Sequence, residues 1–128
     1  VLTLKSANVT VQNLTIDGNG KGNAVVSGND FVGIGVYDAN ATLDSVGIEH
    51  VRDGTFSGAQ RGAGIYIVND DAVARTVNVT GGDLTDYQKG GVVARGAGLT
   101  ATITGATITG QGPTATIAQN GIQIPLHP

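Results

Sequence analysis

The chain has 128 residues, 21 of them Gly, with 40% hydrophobic, 13% charged and 4% aromatic residues and a net charge of −3. That much apolar content at so low a charge excludes disorder, and Gly lacks the every-third-position spacing of collagen. The seven Lys and Arg are scattered, which excludes a basic face for nucleic acid or an anionic membrane; no apolar run reaches the roughly 18–20 residues of a membrane helix, and the lack of Cys removes disulfides, thiol catalysis and Cys-based zinc sites.

In chain order, Val1-Leu-Thr-Leu4 alternates apolar and polar residues and reads as the third strand of an earlier coil. An ungapped pattern then recurs four times: Val9-Thr-Val-Gln-Asn-Leu-Thr-Ile16, Ala41-Thr-Leu-Asp-Ser-Val-Gly-Ile48, Val77-Asn-Val-Thr-Gly-Gly-Asp-Leu84 and Ala101-Thr-Ile-Thr-Gly-Ala-Thr-Ile108. Each copy is two short alternating runs meeting at a small residue that can turn, namely Asn13, Ser45, Gly81 and Gly105. A third short strand follows each copy, in Gly33-Ile-Gly-Val36, Gly64-Ile-Tyr-Ile67, Gly91-Val-Val-Ala94 and Gly121-Ile-Gln-Ile124. The copies start 32, 36 and 24 residues apart, a variation assigned to the segment between second and third strands. Helical periodicity is absent.

Three short strands cannot bury their apolar sides alone, whereas stacked repeats build one continuous core. The fold class predicted is therefore all-β: a parallel β-helix solenoid of about four coils, with boundaries at 1–8 (partial), 9–40, 41–76, 77–100 and 101–128, forming one domain. The inward positions include Val9, Val11, Leu14 and Ile16 in the first coil and Ala101, Ile103, Ala106, Ile108, Ile122 and Ile124 in the last. The outward positions should form columns, such as Gly35, Tyr66, Val93 and Gln123, and beside them Tyr37, Val68, Arg95 and Pro125. Asn8 and Asn40 precede equivalent strands, where stacked amides can satisfy turn backbone.

Runs of the type V-T-V-x-N-L-T-I-D-G followed by G-I-x-V resemble the right-handed parallel β-helix, or pectin-lyase-like, superfamily. The stretch Gly110-Gln-Gly-Pro-Thr-Ala-Thr-Ile-Ala-Gln-Asn-Gly-Ile-Gln-Ile124 is similar to a segment common in extracellular bacterial β-helix proteins of unassigned role. The resemblance spans nearly the whole chain. It implies a right-handed winding, an extracellular or cell-surface bacterial location, and polysaccharide as the partner class. It does not imply catalysis. The superfamily's hydrolases carry an Asn-Thr-Asp run, an Asp-Asp pair, Gly-His-Gly and Arg-Ile-Lys; its alginate epimerases carry Asp-Pro-His-Glu; its lyases carry Arg-x-Pro-x-x-Arg. None of these occurs here.

Two groups of residues are candidates for chemistry. Asp17 and Glu49 fall in one column, about 4.8 Å apart at the spacing of paired strands. Such carboxylates can share a calcium ion or split into an acid and a base; the plainer reading is two solvated strand ends. The run Glu49-His-Val-Arg-Asp53 concentrates charge beside a long loop. His50 as base with Arg52 or Arg61 as the cation would suit uronate elimination, with Arg95 a further catalytic candidate and Tyr37, Arg61, Tyr66, Tyr87 and Lys89 as substrate contacts; the plainer reading is a polar turn. Asp17-Gly-Asn-Gly-Lys-Gly22 lacks the acids of a calcium loop and the βαβ setting of a dinucleotide fingerprint, and reads as a turn. No cofactor is required.

The functional expectation is a non-catalytic extracellular scaffold or adhesion module, binding polysaccharide on its outward strand faces. The alternatives are part of a polysaccharide lyase, hydrolase or epimerase, and a structural element that self-associates through open coil ends. Neither end carries a capping helix, an initiating Met or a signal peptide, so the chain is expected to be a segment of a longer solenoid. Pro125 and Pro128 are expected to blunt strand addition at the C-terminal edge.

Overall fold

The structure, a computed structural model, describes residues 2–24 and 31–125. Val1, part of the first long loop and Pro128 lie outside the described residues. A leading strand β1 (Leu2–Lys5) precedes a first coil of β2 (Asn8–Gln12), β3 (Thr15–Asp17) and β4 (Val32–Tyr37). The second coil is β5 (Asn40–Asp44), β6 (Gly47–Glu49) and β7 (Ala63–Val68). The third is β8 (Arg75–Thr80), β9 (Asp83–Thr85) and β10 (Gly90–Arg95), and the fourth is β11 (Leu99–Thr104), β12 (Thr107–Thr109) and β13 (Asn120–Gln123). Every strand pairs in parallel with its counterparts one coil away. Three sheets result: sheet A in the order β1-β4-β7-β10-β13, sheet B from β2, β5, β8 and β11, and sheet C from β3, β6, β9 and β12. The chain is a parallel β-helix solenoid of about four coils.

The register is the one the repeats predict. Val9 pairs with Ala41, Ala41 with Val77 and Val77 with Ala101, while Gly35, Tyr66, Val93 and Gln123 form one outward column. The turn between sheets B and C is made by Asn13, Ser45, Gly81 and Gly105, which adopt φ of 55°, 54°, 64° and 68°. Each sits where a left-handed backbone is needed; Gly accepts it freely and Asn readily, whereas Ser45 holds it at a steric cost. Asn40 Nδ2 donates to Asn8 Oδ1 (2.8 Å), and its Oδ1 accepts from Thr76 N (2.9 Å), so the stacked amides link successive coils and serve the backbone at the start of β8 rather than a turn.

Burial follows position in the stack. Leu43, Ile34, Val36, Val77 and Val92 are fully enclosed, and Ile48, Ile65, Ile67 and Leu84 nearly so. The predicted inward residues of the end coils depart from this. Leu14 is 38% exposed, Ile122 51% and Ile124 73%, and Ala101 is exposed too. Their side chains project along the same columns, but only one coil covers them.

The glycine that opens each third strand has a steric cause. The ladder of sheet A steps over Gly33, Gly64, Gly91 and Gly121, because paired residues resume on either side of them. A Cβ on Gly33 would lie 2.6 Å from the carbonyl oxygen of Gly64 and 2.6 Å from Ile48 Cγ2, both in the following coil. One on Gly64 would lie 2.8 Å from Gly91 O and 3.2 Å from Leu84 Cδ2, and one on Gly91 2.6 Å from Gly121 O and against Ile108. Consecutive coils thus approach backbone to backbone at this column, and any side chain there would force them apart.

Repeat length varies at two corners, one more than the sequence suggests. The segments between sheets C and A differ, as predicted. The corner between sheets A and B also grows, from Ser6-Ala7 and Asp38-Ala39 to the six residues 69–74. Asn69, 2% exposed, fills that corner: its Nδ2 donates to the carbonyls of Val73 (2.9 Å) and Ala97 (2.6 Å), and its Oδ1 accepts from Arg75 (2.9 Å). An ion pair between Arg75 and Asp71 closes the insertion.

Gly64→Ala is expected to lower stability by about 1–3 kcal/mol through overpacking between coils. Thermal unfolding followed by circular dichroism reads this as a fall in Tm. An unchanged Tm would mean that the coils do not approach at this column.

Candidate functional site

Two faces carry the predicted functional residues, and they are separate. The first is the corner where sheet C ends. Asp17 pairs with Glu49 across one coil, as the column predicts, and the next position adds His50 above Gly18 and below Asp86. One ligand atom from each of Asp17, Glu49 and His50 falls within 4.8 Å of the others. His50 Nδ1 donates to Asp17 Oδ1 at 2.8 Å, and His50 Nε2 stands 3.7 Å from Asp86 Oδ2. Asp86 also accepts from Arg52 Nε (2.7 Å) and from Gln111 Nε2 (2.7 Å). The imidazole therefore stands between two carboxylates. The hydrogen bond to Asp17, reinforced by the charges of Asp17, Glu49 and Asp86, raises its pKa above the ordinary histidine value. Asp17 shifts down, chiefly because the Asn19 amide donates to it and next because His50 does.

Asp86 was not among the sequence candidates. Extending the repeat alignment one residue past the Asp17–Glu49 column would have found it, since His50 and Asp86 occupy equivalent turn positions with φ of 55° and 50°. Arg52 stands in this corner but is committed to structure: besides Asp86, its Nη1 donates to the carbonyls of Asp53 and Gly54, at 2.9 Å each. The Asp17–Gly22 run is a turn, as read, but one bonded to the coil above. Gly18 N donates to Glu49 O (2.8 Å), Gly20 N to His50 O (3.0 Å) and Gly22 N to Arg52 O (2.9 Å). A Cβ on Gly18 would lie 2.5 Å from His50 O, so the glycine lets this loop close on the corner.

Beneath the long second loop lies a polar brace that the sequence did not mark. Asp53 is 1% exposed and Gln88 fully enclosed. Arg61 grips Asp53 with two bonds (2.7 and 3.2 Å), Ser57 Oγ donates to the same carboxylate (2.5 Å), and Gln88 Oε1 accepts from Asp53 N (3.0 Å). The Arg61 guanidinium holds the Asp53 carboxyl below the usual carboxylate range. Among the described residues no buried side-chain polar atom lacks a partner, as expected where unsatisfied groups are costly. Arg61 is thus first a loop anchor.

The second face is the outside of sheet A. Tyr37 and Tyr66 meet edge to face, ring centroids 6.3 Å apart and planes at 73°. The Tyr37 ring lies over Gly35, where any side chain would collide with it. Arg95 Nε donates to Tyr66 Oη (3.4 Å) and its Nη1 to Asp70 Oδ1 (3.1 Å). A shallow cleft of about 230 Å³ adjoins Tyr66, lined also by Arg61, Lys89, Val93 and Gln123. Lys89 Nζ donates to Ala118 O at 2.8 Å. Tyr37, Tyr66, Arg95, Arg61 and Lys89 therefore share one outward sheet and its margin. His50 and Arg52 lie on the other corner, where both stand against Asp86 Oδ2 (3.7 and 2.7 Å), while Arg95 and Arg61 belong to the sheet A side. Tyr87 joins neither face. It is 2% exposed, packed beside Gly91 and Gly110, and burial raises its phenol pKa, so no ring face is open to a ligand.

The sign of the His50–Asp17 coupling follows from the two shifts. A raised histidine pKa contributes stability below its unfolded value of about 6.5, lost as pH rises through the folded value. A lowered Asp17 pKa contributes stability above its unfolded value, lost as pH falls through the folded one. The pair is worth most between those limits, in mildly acidic solution. An NMR titration of the His50 ring should give a midpoint above that of free histidine, and Asp17→Asn should bring it down. A midpoint that Asp17→Asn leaves unmoved would show that the two groups are not bonded in solution.

A scan against protein-family models finds no match to this chain, and searches of curated proteins and of solved structures find none that is significant.

Proposed function

We propose that the chain is a non-catalytic, extracellular bacterial scaffold of the pectin-lyase-like kind, and that it binds polysaccharide on the outer face of sheet A. The observation that carries this reading is the Tyr37–Tyr66 pair beside Arg95, set over a regular strand ladder. Aromatic rings offer apolar area with a polar tip, which suits a sugar ring with one apolar face and a rim of hydroxyls. The cleft next to Tyr66 supplies amide and cationic donors from Gln123, Lys89 and Arg61. Strand-to-strand spacing of about 4.8 Å places these side chains as a row rather than a closed pocket, a shape that favours an extended polymer over a small molecule. Arg61 and Arg95 are paired with Asp53 and Asp70, so Lys89 supplies the cationic edge of the row and favours uronate-containing chains.

The charged corner around His50 supports no comparable reading as a catalytic centre. Its one imidazole bonds to Asp17, and its arginine bonds to Asp86 and to the carbonyls of Asp53 and Gly54, so both are engaged within the corner itself. A shared calcium ion at Asp17 and Glu49 remains compatible with the proposed scaffold as a local clamp between coils.

The test is titration calorimetry against a panel of uronate and neutral polysaccharides. Binding to at least one polymer is expected, weakened about tenfold by Tyr66→Ala, a loss in the range of an interface hot spot, with the circular dichroism spectrum unchanged. The same mixtures are monitored for absorbance from new double bonds. Turnover abolished by His50→Ala would overturn the proposal in favour of a polysaccharide lyase, and binding indifferent to Tyr66→Ala would move the site off sheet A.

A further inference from the structure

Asp17 and Glu49 occupy facing positions of β3 and β6, about 4.8 Å apart at the spacing of paired strands. Like charges so placed in neighbouring strands repel. Among the described residues neither carboxylate forms an ion pair with Lys or Arg, and Arg52, the arginine of this corner, is taken by Asp86. What stands beside them instead is a nitrogen donor. One ligand atom from each of Asp17, Glu49 and His50 lies within 4.8 Å of the other two.

The surroundings of the imidazole suit a metal ligand. A ligating histidine as a rule gives its second ring N–H to a carboxylate, which fixes the ring. With His50 Nδ1 turned to Asp17 at 2.8 Å, Nε2 stands 3.7 Å from Asp86 Oδ2. Asp86 lies outside the triad and is itself held from two sides, by Arg52 Nε and Gln111 Nε2 at 2.7 Å each. Asn19 N anchors Asp17 through Oδ1 (2.7 Å). The backbone beneath is fixed as well, because Gly18 N donates to Glu49 O and Gly20 N to His50 O. The side chains of Asp17 and His50 are 51% and 42% exposed, so an ion reaches them from solvent.

We propose that Asp17, Glu49 and His50 form a binding site for a divalent transition ion of the zinc type, shared between the first and second coils. Zinc bonds of about 2.0–2.2 Å set two donors of one ion about 3.4 Å apart. The 2.8 Å between Asp17 and His50 and the 4.8 Å limit of the triad bracket that value, and exposed carboxylates rotate to meet it. The ion takes the place of the proton that His50 Nδ1 donates to Asp17; that proton leaves to solvent, and water completes the coordination. The charge of the ion cancels the repulsion between the carboxylates and ties β3 to β6. One imidazole with two carboxylates favours such an ion over calcium, which takes about six to eight oxygens. The carbonyls of Glu49, His50 and Arg52 are already engaged by the amides of Gly18, Gly20 and Gly22. The site lies on a different face from the sheet A row and does not depend on polysaccharide binding there.

Titration calorimetry of the 128-residue chain, freed of metal with a chelator, tests this with zinc chloride and separately with calcium chloride. The expected result is one zinc ion per chain, a rise in Tm when zinc is added, and zinc bound about tenfold or more tighter than calcium. His50→Ala and Glu49→Gln should each weaken zinc binding about tenfold or more, and Asp86→Asn about tenfold, the cost of losing the carboxylate behind a ligating histidine. Circular dichroism spectra should stay unchanged. His127→Ala, which removes the other histidine of the chain, should leave zinc binding as it was. In the wild-type chain, NMR should show the His50 ring resonances shifting as zinc is added, a readout that needs no variant to fold. Zinc that does not bind, calcium that binds as tightly, or zinc affinity that follows His127 and not His50 would overturn the proposal. Ring resonances of His50 that zinc leaves in place would overturn it equally.

Discussion

The close approach of one coil to the next governs this structure. At the column of Gly33, Gly64 and Gly91 the carbonyl of the following coil stands where a side chain would begin, 2.6–2.8 Å from the position of a Cβ. That contact sets how tightly the coils stack and so how deeply their apolar columns are enclosed. Ile34, Leu43, Val77 and Val92 are fully buried because coils lie on both sides of them. Ile122, with a coil on one side only, is half exposed. Hydrophobic stabilisation scales with area removed from water, so the interior coils hold most of it and the end coils least.

Charge is used in the same geometry. Charged side chains meet their partners across coils or within a loop: Asp17 and Asp86, two coils apart, flank His50; Asp70 and Tyr66 flank Arg95; and Asp53 lies under Arg61 of its own loop. The Asp53 group, almost without water contact, ties the long second loop to the third coil through Gln88. The corner around His50 remains open to solvent and tunable by pH. The outer face of sheet A is the quieter surface, regular and aromatic, held flat by the ladder beneath it.

Much of this was legible in the sequence, because strand alternation has a period of two and the repeats fix phase. The three sheets, the register, the left-handed turn residues Asn13, Ser45, Gly81 and Gly105 and the Asp17–Glu49 pairing all follow from aligning four copies. What the sequence did not disclose has one physical cause: it depends on neighbours that are distant in the chain and outside the repeat. Ile124 matches Val36 in pattern, yet differs in burial because coverage comes from the next coil. Tyr87 looked like a surface aromatic and is enclosed, since it follows the short third turn and packs against Gly91 and Gly110. Asp53, Gln88 and Asn69 lie in segments without periodicity, where no alternation reveals which way a side chain points. Asp86 was recoverable one residue beyond the aligned column.

Native-state hydrogen exchange in dilute solution tests most directly whether inter-coil stacking carries the fold, because local protection reports the free energy of opening each segment. Amides of β5, β7, β8 and β10 should exchange most slowly, at the limit set by global unfolding, while those of β1, β2, β11 and β13 should exchange well before it. Uniform protection from end to end, or slower exchange in the end coils than in the middle, would contradict the account.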